Sequence, residues 1–298
     1  MQLLAFVLAY PILWFISILP FRIFYILSDI VCFIVYRIVG YRKKTVRNNL
    51  AMALPHLSDA ERLEIEKKFY SHMCDLFLEM IKTMSMSEAE IKKRFKCTNL
   101  DVLKEYEAKG KSVALMCAHY ASWEWLIALS KDMSFKSITI YKRIRNKYFD
   151  DLVRKIRRNL NTELVEAKES IELMISNKRK GVLAFYGFAG DQSPALHRAK
   201  YWTKFMGLEV PVHTGGEMLA KKLDMNMIYV KVNKIKRGYY ECTICPLVEN
   251  PRDYKDFELT NLYMHEVEKQ ILEAPEYYLW THKRWKNAGK KPETTGKS

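Results

Sequence analysis

The stretch Ser112-Val113-Ala114-Leu115-Met116-Cys117-Ala118-His119-Tyr120-Ala121-Ser122-Trp123-Glu124-Trp125 decides the fold. Its first seven residues are short-chain or apolar and show no polar alternation, which marks a strand buried on both faces rather than a half-exposed one. His119 falls where that strand ends and the chain turns towards a helix, an edge at which α/β proteins carry chemistry. An imidazole titrates near pH 6.5, so it takes a proton from a hydroxyl at neutral pH, and a carboxylate on its other nitrogen fixes the tautomer and stabilises the imidazolium. Glu124 is the carboxylate the stretch offers. Positions five apart on one helix point about 140° away from each other, so His119 is expected to precede the helix. Ser122 is then the expected N-cap, with Glu124 in the first turn.

Outward from this stretch, strands and helices alternate. Ser58-Asp59-Ala60-Glu61 is a helix start, and Leu63, Ile65, Phe69, Met73, Leu76, Phe77 and Met80 form the apolar stripe of a helix reaching about Met84. After the central strand come an expected strand Ser137–Tyr141, a basic amphipathic helix Tyr148–Leu160, a helix Ala167–Ser176 and a strand Gly181–Tyr186. A helix Gly215–Lys222, strands Met227–Val232 and Tyr239–Cys245, and a helix Asp256–Leu272 complete the pattern. The expected fold class is α/β, a mixed sheet flanked by helices. The chain has 298 residues, 49% of them hydrophobic, with no repeat or low-complexity block, which suits one catalytic domain with an appendage.

The appendage is the N-terminus. Leu3 to Leu19 is apolar and uncharged, just long enough to span a bilayer, and lacks the basic start and small-residue cleavage site of a signal peptide. It is expected to be a retained membrane-anchoring helix. A second apolar stretch, Ile23 to Val39, follows Arg22 and contains Asp29 and Arg37, and is expected to pack against the membrane or the domain. Arg42, Lys43, Lys44 and Arg47 come next, a cluster that favours the cytoplasmic side and attracts anionic lipid.

Lys and Arg number 49 against 34 Asp and Glu, a net charge of +15. Such an excess suits anionic membrane, an acidic protein or a phosphorylated substrate; no helix-turn-helix, RNP or zinc-finger pattern accompanies it, which argues against nucleic acid. Six cysteines lie scattered at 32, 74, 97, 117, 242 and 245. Cys242-Thr243-Ile244-Cys245 has metal-like spacing but no second pair or neighbouring His, and its alternation is that of a strand, so reduced structural thiols are expected. His56, His72, His197, His213 and His265 show no ligand spacing, and no metal is expected.

Taken together, these blocks resemble the lipid A lauroyl/myristoyl acyltransferase family, within the wider superfamily whose signature is His-x4-Asp/Glu. The likeness covers nearly the whole chain. Leu19-Pro20, Arg47-Asn48-Asn49-Leu50 and Ala53-Leu54-Pro55 match its N-terminal segments, and His119 with Glu124 its catalytic block. Tyr141-Lys142-Arg143-Ile144-Arg145-Asn146 resembles a Tyr-Arg-Pro-x-x-Asn block, with Lys142 where Arg is common and Arg143 in place of Pro. Gly190-Asp191-Gln192-Ser193-Pro194, Gly215-Gly216 and Trp280-Thr281-His282-Lys283-Arg284 follow in the family's order.

The resemblance implies an O-acyltransferase, with His119 and Glu124 catalytic, and Lys142, Arg143, Asn146, Asp191 and Gln192 meeting substrate. It implies an acyl thioester on acyl carrier protein as donor, so that phosphopantetheine arrives with the partner and no resident cofactor is needed. The implied acceptor is a hydroxyl of a lipid A precursor at the cytoplasmic face of a bacterial inner membrane. Residues 1–40 would then be the anchor and interfacial helix, 41–285 the acyltransferase domain and 286–298 a basic tail. Another acceptor, whether aminolipid, glycolipid or lysophospholipid, stays open because the second block is altered; the Pro-Glu-Gly-Thr block usual in lysophospholipid acyltransferases is missing. An inactive membrane scaffold is disfavoured by the retained His119 and Glu124.

Overall fold

The computed structural model describes residues 2–291, Asn159 by its backbone alone. Ten α-helices and nine strands are named here. Helices α1 (Gln2–Ile18), α2 (Phe21–Phe33), α3 (Lys43–Ala53) and α4 (Asp59–Lys82) come first, with a π-helical stretch Ile34–Val39 continuing α2. Then follow α5 (Glu88–Arg94), β1 (Phe95–Cys97), α6 (Asp101–Ala108) and β2 (Val113–Cys117). The middle holds β3 (Lys136–Tyr141), α7 (Lys147–Asn159), β4 (Thr162–Glu166), α8 (Ser170–Arg179) and β5 (Ala184–Ala189). A hairpin of β6 (Tyr201–Phe205) and β7 (Leu208–Val212) precedes α9 (Gly215–Leu223), β8 (Asn226–Lys236), β9 (Tyr239–Val248) and α10 (Glu258–Glu273).

Seven strands form one sheet in the order β1-β9-β8-β2-β5-β3-β4. All neighbours are parallel except β8 and β9, which pair antiparallel, so the sheet is mixed as expected. The apolar run before His119 becomes β2 at the centre, between β8 and β5, and Val113 to Met116 are buried. That position explains the run, because a strand with parallel neighbours on both sides and helices on both faces has no wet face to alternate with. α4 starts with a capping box in which Ser58 Oγ accepts from Glu61 N–H and the Glu61 carboxylate accepts from Ser58 N–H, satisfying two orphan donors.

The expected elements are present with ends displaced by a few residues; α3, α5, β1 and α6 were not expected, and three further features differ. The segment after His119 is a 3-10 helix, Trp123–Lys131, and the Ser122 side chain does not cap it; Ser122 Oγ is buried without a partner. β4 is too short and too polar at Thr162 and Glu163 to stand out in the sequence. The β6–β7 hairpin is closed by Met206 and Gly207, both with positive φ (51° and 76°), the geometry of a two-residue turn that Gly favours.

The N-terminal helices lie on the domain, α1 and α2 both against α4. Lys82, buried, donates to the carbonyls of Ser17 and Leu19 and so satisfies the end of α1. On α2, Ser28 donates to Asp75 at 2.7 Å, Tyr25 to Glu79 at 2.8 Å, and Arg237 from the β8–β9 turn bridges Asp29 and Asp75. Phe24 is fully buried, a contribution of roughly 1.5–3 kcal/mol. The opposite faces are bare: Leu4, Leu8, Ile12 and Phe15 on α1, and Ile23, Ile26, Ile30 and Phe33 on α2, are exposed. Among the described residues no single helix is long and apolar enough to cross a membrane; α1 has 17 residues, and the stretch Phe21–Val39 qualifies only jointly with α3, across a 91° bend. At the other end, Asn287 is buried and donates to Pro194 O, and Lys291 pairs with Glu209 at 2.8 Å, so packing continues past residue 285. Residues 292–298 of the expected tail lie outside the described residues.

Candidate active site

Sheet register builds the site. Cys117 of β2 lies opposite Ala189 of β5, so two residues further along each chain His119 and Asp191 emerge side by side at the C-terminal edge. Asp191 Oδ1 lies 2.7 Å from His119 Nδ1, and its Oδ2 accepts from the His119 backbone N–H at 3.2 Å. One buried carboxylate therefore holds both the ring and the peptide of His119. Burial alone would raise the Asp191 carboxyl, but the His119 charge and the hydrogen bonds bring it below its ordinary value. For His119 burial pulls downward, and the Asp191 charge and hydrogen bond, with a smaller contribution from Glu124, outweigh it, leaving the imidazole raised. An ionised carboxylate only accepts, so the proton sits on Nδ1 and the lone pair on Nε2.

This corrects one expectation. The carboxylate on the other nitrogen of His119 is Asp191, not Glu124, and Asp191 is 1% exposed with both oxygens on His119. Glu124 instead forms an ion pair with Arg157 of α7 and accepts from Trp123 Nε1 at 3.2 Å. The reason is local: Ala121 takes a left-handed φ of 47° and the 3-10 helix starts at Trp123, so Glu124 turns away from the strand end towards α7.

The catalytic loop is held from two sides. Tyr120 forms an isolated bridge with Tyr278, Ala121 N–H donates to Tyr277 O at 3.0 Å, and Leu279 N–H donates to His119 O at 3.1 Å. This C-terminal segment is tied down in turn, because Asn49 donates to the carbonyls of Trp280 and His282, both at 2.7 Å, and Arg42 to that of Thr281 at 3.0 Å. His282 Nε2 accepts from Ser193 N–H at 3.2 Å in the loop after Asp191; burial, helped by the Arg284 charge against the pull of Asp191, pushes it down to about 4 and keeps it neutral. Tyr263 closes the back wall, accepting from Gly190 N–H and donating to Cys117 O at 2.7 Å.

His119 opens on a cavity of about 400 Å3 lined largely by apolar side chains, among them Leu115, Leu126, Ile140 and Phe188. Trp123, Glu124, Lys142 and Arg157 also line it, so two cations and one carboxylate share the cavity with the imidazole. Of the other expected substrate residues, Arg143 pairs with Glu166 at 3.3 Å and is largely exposed. Asn146 caps α7 by accepting from Tyr148 N–H at 3.0 Å and donates to Gln2 O, fastening α1 to α7. The structure thus brings Lys142 to the cavity and gives Arg143 and Asn146 structural partners. Gln192 is half-buried beside Asp191. Arg157 was not singled out by sequence; its only signal was a place on the basic amphipathic helix. Among the described residues no group of three His, Cys, Asp or Glu side chains is arranged to hold a metal ion.

A strand-end imidazole backed by a buried carboxylate and opening on an apolar cavity is an arrangement suited to taking a proton from a hydroxyl. The model of the bacterial lipid A biosynthesis acyltransferase family matches residues 2–287, and the chain belongs to that family. It is similar to the lipid A biosynthesis lauroyltransferase of Escherichia coli K12, 24% identical over 279 residues, covering 92% of this chain and 89% of the relative. It is similar to the same organism's lipid A biosynthesis palmitoleoyltransferase, 24% identical over 284 residues with the same coverage. A lipid A biosynthesis acyltransferase of Haemophilus influenzae is 21% identical over 252 residues, covering 81% and 76% of the two chains. Family and site together support an acyltransferase role in lipid A biosynthesis.

Proposed function

We propose that the protein transfers a fatty acyl chain from an acyl carrier protein thioester to the hydroxyl of a 3-hydroxyacyl chain on a lipid A precursor, at the cytoplasmic face of the inner membrane. The observation that carries this is the 2.7 Å contact between His119 Nδ1 and buried Asp191, with the His119 side chain partly exposed to an apolar cavity. Nε2 of His119 accepts the hydroxyl proton as the oxygen attacks the thioester carbonyl carbon. The resulting oxyanion lies among the charges of Lys142 and Arg157, the C–S bond breaks, and the imidazolium returns its proton to the leaving thiolate. Asp191 holds the tautomer throughout. Glu124 holds Arg157 in the cavity wall.

The bare apolar faces of α1 and α2 support membrane attachment, since a helix pair that buries polar groups against the domain and turns Leu and Ile outwards lies well in the acyl boundary of a bilayer. Arg42, Lys43 and Lys44 then meet anionic head groups. The net charge of +15 suits an acidic carrier protein and a phosphorylated acceptor. The test is the purified protein with acyl carrier protein thioesters and a lipid A precursor, read by mass spectrometry. Gain of one acyl chain is expected. No gain on that acceptor, with acylation of an aminolipid or lysophospholipid instead, overturns the assigned acceptor.

A further inference from the structure

The His119 cavity runs back along one face of the sheet. Ala189, Gly187 and Phe185 line it from β5, Cys117 and Leu115 from β2, and Met133, at the opposite end of β3 from Tyr141, lines its far part. From Ala189 to Phe185 the path is about 13 Å of extended strand. Gly187 lies midway, paired with Leu115 on one side and Thr139 on the other. Glycine inside a central strand costs stability and marks a place where something approaches the backbone closely. Its φ is ordinary, and a Cβ added there would meet Thr139 Oγ1 at 3.4 Å and otherwise only backbone at 3.8 Å and beyond, so packing does not demand the glycine. What its missing side chain does is leave the groove open.

A second apolar recess of about 360 Å3 lies under α1, walled by Leu13, Phe77, Phe149 and Ile156. The two share Met80, Ile127, Val153, Glu124 and Arg157, so they branch at the Glu124–Arg157 pair. The ester formed in the proposed reaction has the same shape, two hydrocarbon chains diverging from one carboxyl group. The recess under α1 adjoins the helix with the bare apolar face and suits the chain of a membrane-held acceptor. The groove along the sheet is the remaining branch.

Building on the proposed acyl transfer, we infer that the groove past Gly187 holds the hydrocarbon tail of the donor, and that Gly187 and Met133 set the length of acyl chain transferred. The experiment offers the purified protein a mixture of acyl carrier protein thioesters of short, medium and long chains with saturating acceptor, and reads product masses. Gly187→Val fills the groove and should lower kcat/KM for the chain the wild type prefers at least about tenfold relative to one a few carbons shorter. Met133→Ala deepens the far end and should move the preference to longer chains. Thermal melting checks the fold; if Gly187→Val does not fold, Gly187→Ala and Met133→Ala decide. Proportional loss for all chain lengths, or an unchanged profile, overturns the inference. So does a change in discrimination among acceptors with shortened hydroxyacyl chains while the donor profile stays fixed. A wild-type protein that transfers no chain from any thioester overturns the underlying reaction instead.

Discussion

Asp191 grips His119 twice, at ring Nδ1 and at the backbone N–H, with the two oxygens of a single buried carboxylate. Asp191→Asn keeps the shape and removes the charge, and an amide can donate to Nδ1 and so favour the wrong tautomer. The expected loss of acyl transfer is roughly 10³–10⁴-fold, by analogy with carboxylate-to-amide changes in triads. In the wild type the base must be neutral, and His119 is raised, so activity should climb with pH through an apparent value above 6.5. Any residual activity of Asp191→Asn should show that limb moved to lower pH, because its chief source of stabilised positive charge is gone. A limb that stays in place in a pH profile of kcat/KM would separate Asp191 from the base.

His119→Ala should lower turnover by roughly 10²–10⁴-fold, the usual worth of general-base catalysis. The side chain is partly exposed and leaves no core void, so the melting temperature should hold. Near-normal turnover by the folded variant would sink the mechanism.

Glu124 and Arg157 should behave as one unit. Glu124→Gln frees the guanidinium and Arg157→Met leaves the carboxylate alone in an apolar wall, so each should reduce kcat/KM, and the double variant should lose clearly less than the product of the two losses. Independent, multiplicative effects in the double-mutant cycle would mean that the pair seen in the structure is not the working arrangement.

Glu79, fully buried between the Tyr25 and Tyr240 hydroxyls at 2.8 and 2.9 Å, should make stability depend on pH. Burial chiefly, with the Asp75 charge adding and Tyr25, Lys234 and Tyr240 opposing, raises its carboxyl to about 7. A raised acid holds its proton more tightly in the folded state, so its stabilisation is full below about 4.5 and is lost as pH rises through 7. Urea unfolding should show wild-type stability falling over that interval and Glu79→Gln flattening the slope. Parallel curves for the two proteins would count against it.

Transfer from acyl carrier protein should slow as salt rises, because steering of an acidic partner to a surface of net charge +15 is screened beyond about 8 Å at physiological ionic strength. With acceptor saturating, a flat salt response would point to a donor without that charge.

The central strand was legible because its apolar run has one physical cause, burial on both faces, and His119 at its end was legible for the same reason. Its carboxylate partner was not. The pairing of His119 with Asp191 is made by the Cys117–Ala189 register across 72 residues of sequence, and no local spacing encodes a register. Glu124 looked like the partner because it was near in sequence; the left-handed turn at Ala121, an alanine with no reason to be read as one, sends it to α7 instead. Asn146 is instructive in the other direction, since a residue singled out for substrate also caps a helix, a role that its place just before a basic amphipathic helix already allowed.

The clasp between the catalytic loop and Tyr277–Leu279, itself held by Asn49 and Arg42, has a consequence for biogenesis. Translation delivers α1 and α2 well before this segment, so the loop carrying His119 emerges without the contacts that brace it in the folded protein. The loop that carries His119 is therefore expected to gain its bracing only in a chain extended past Leu279.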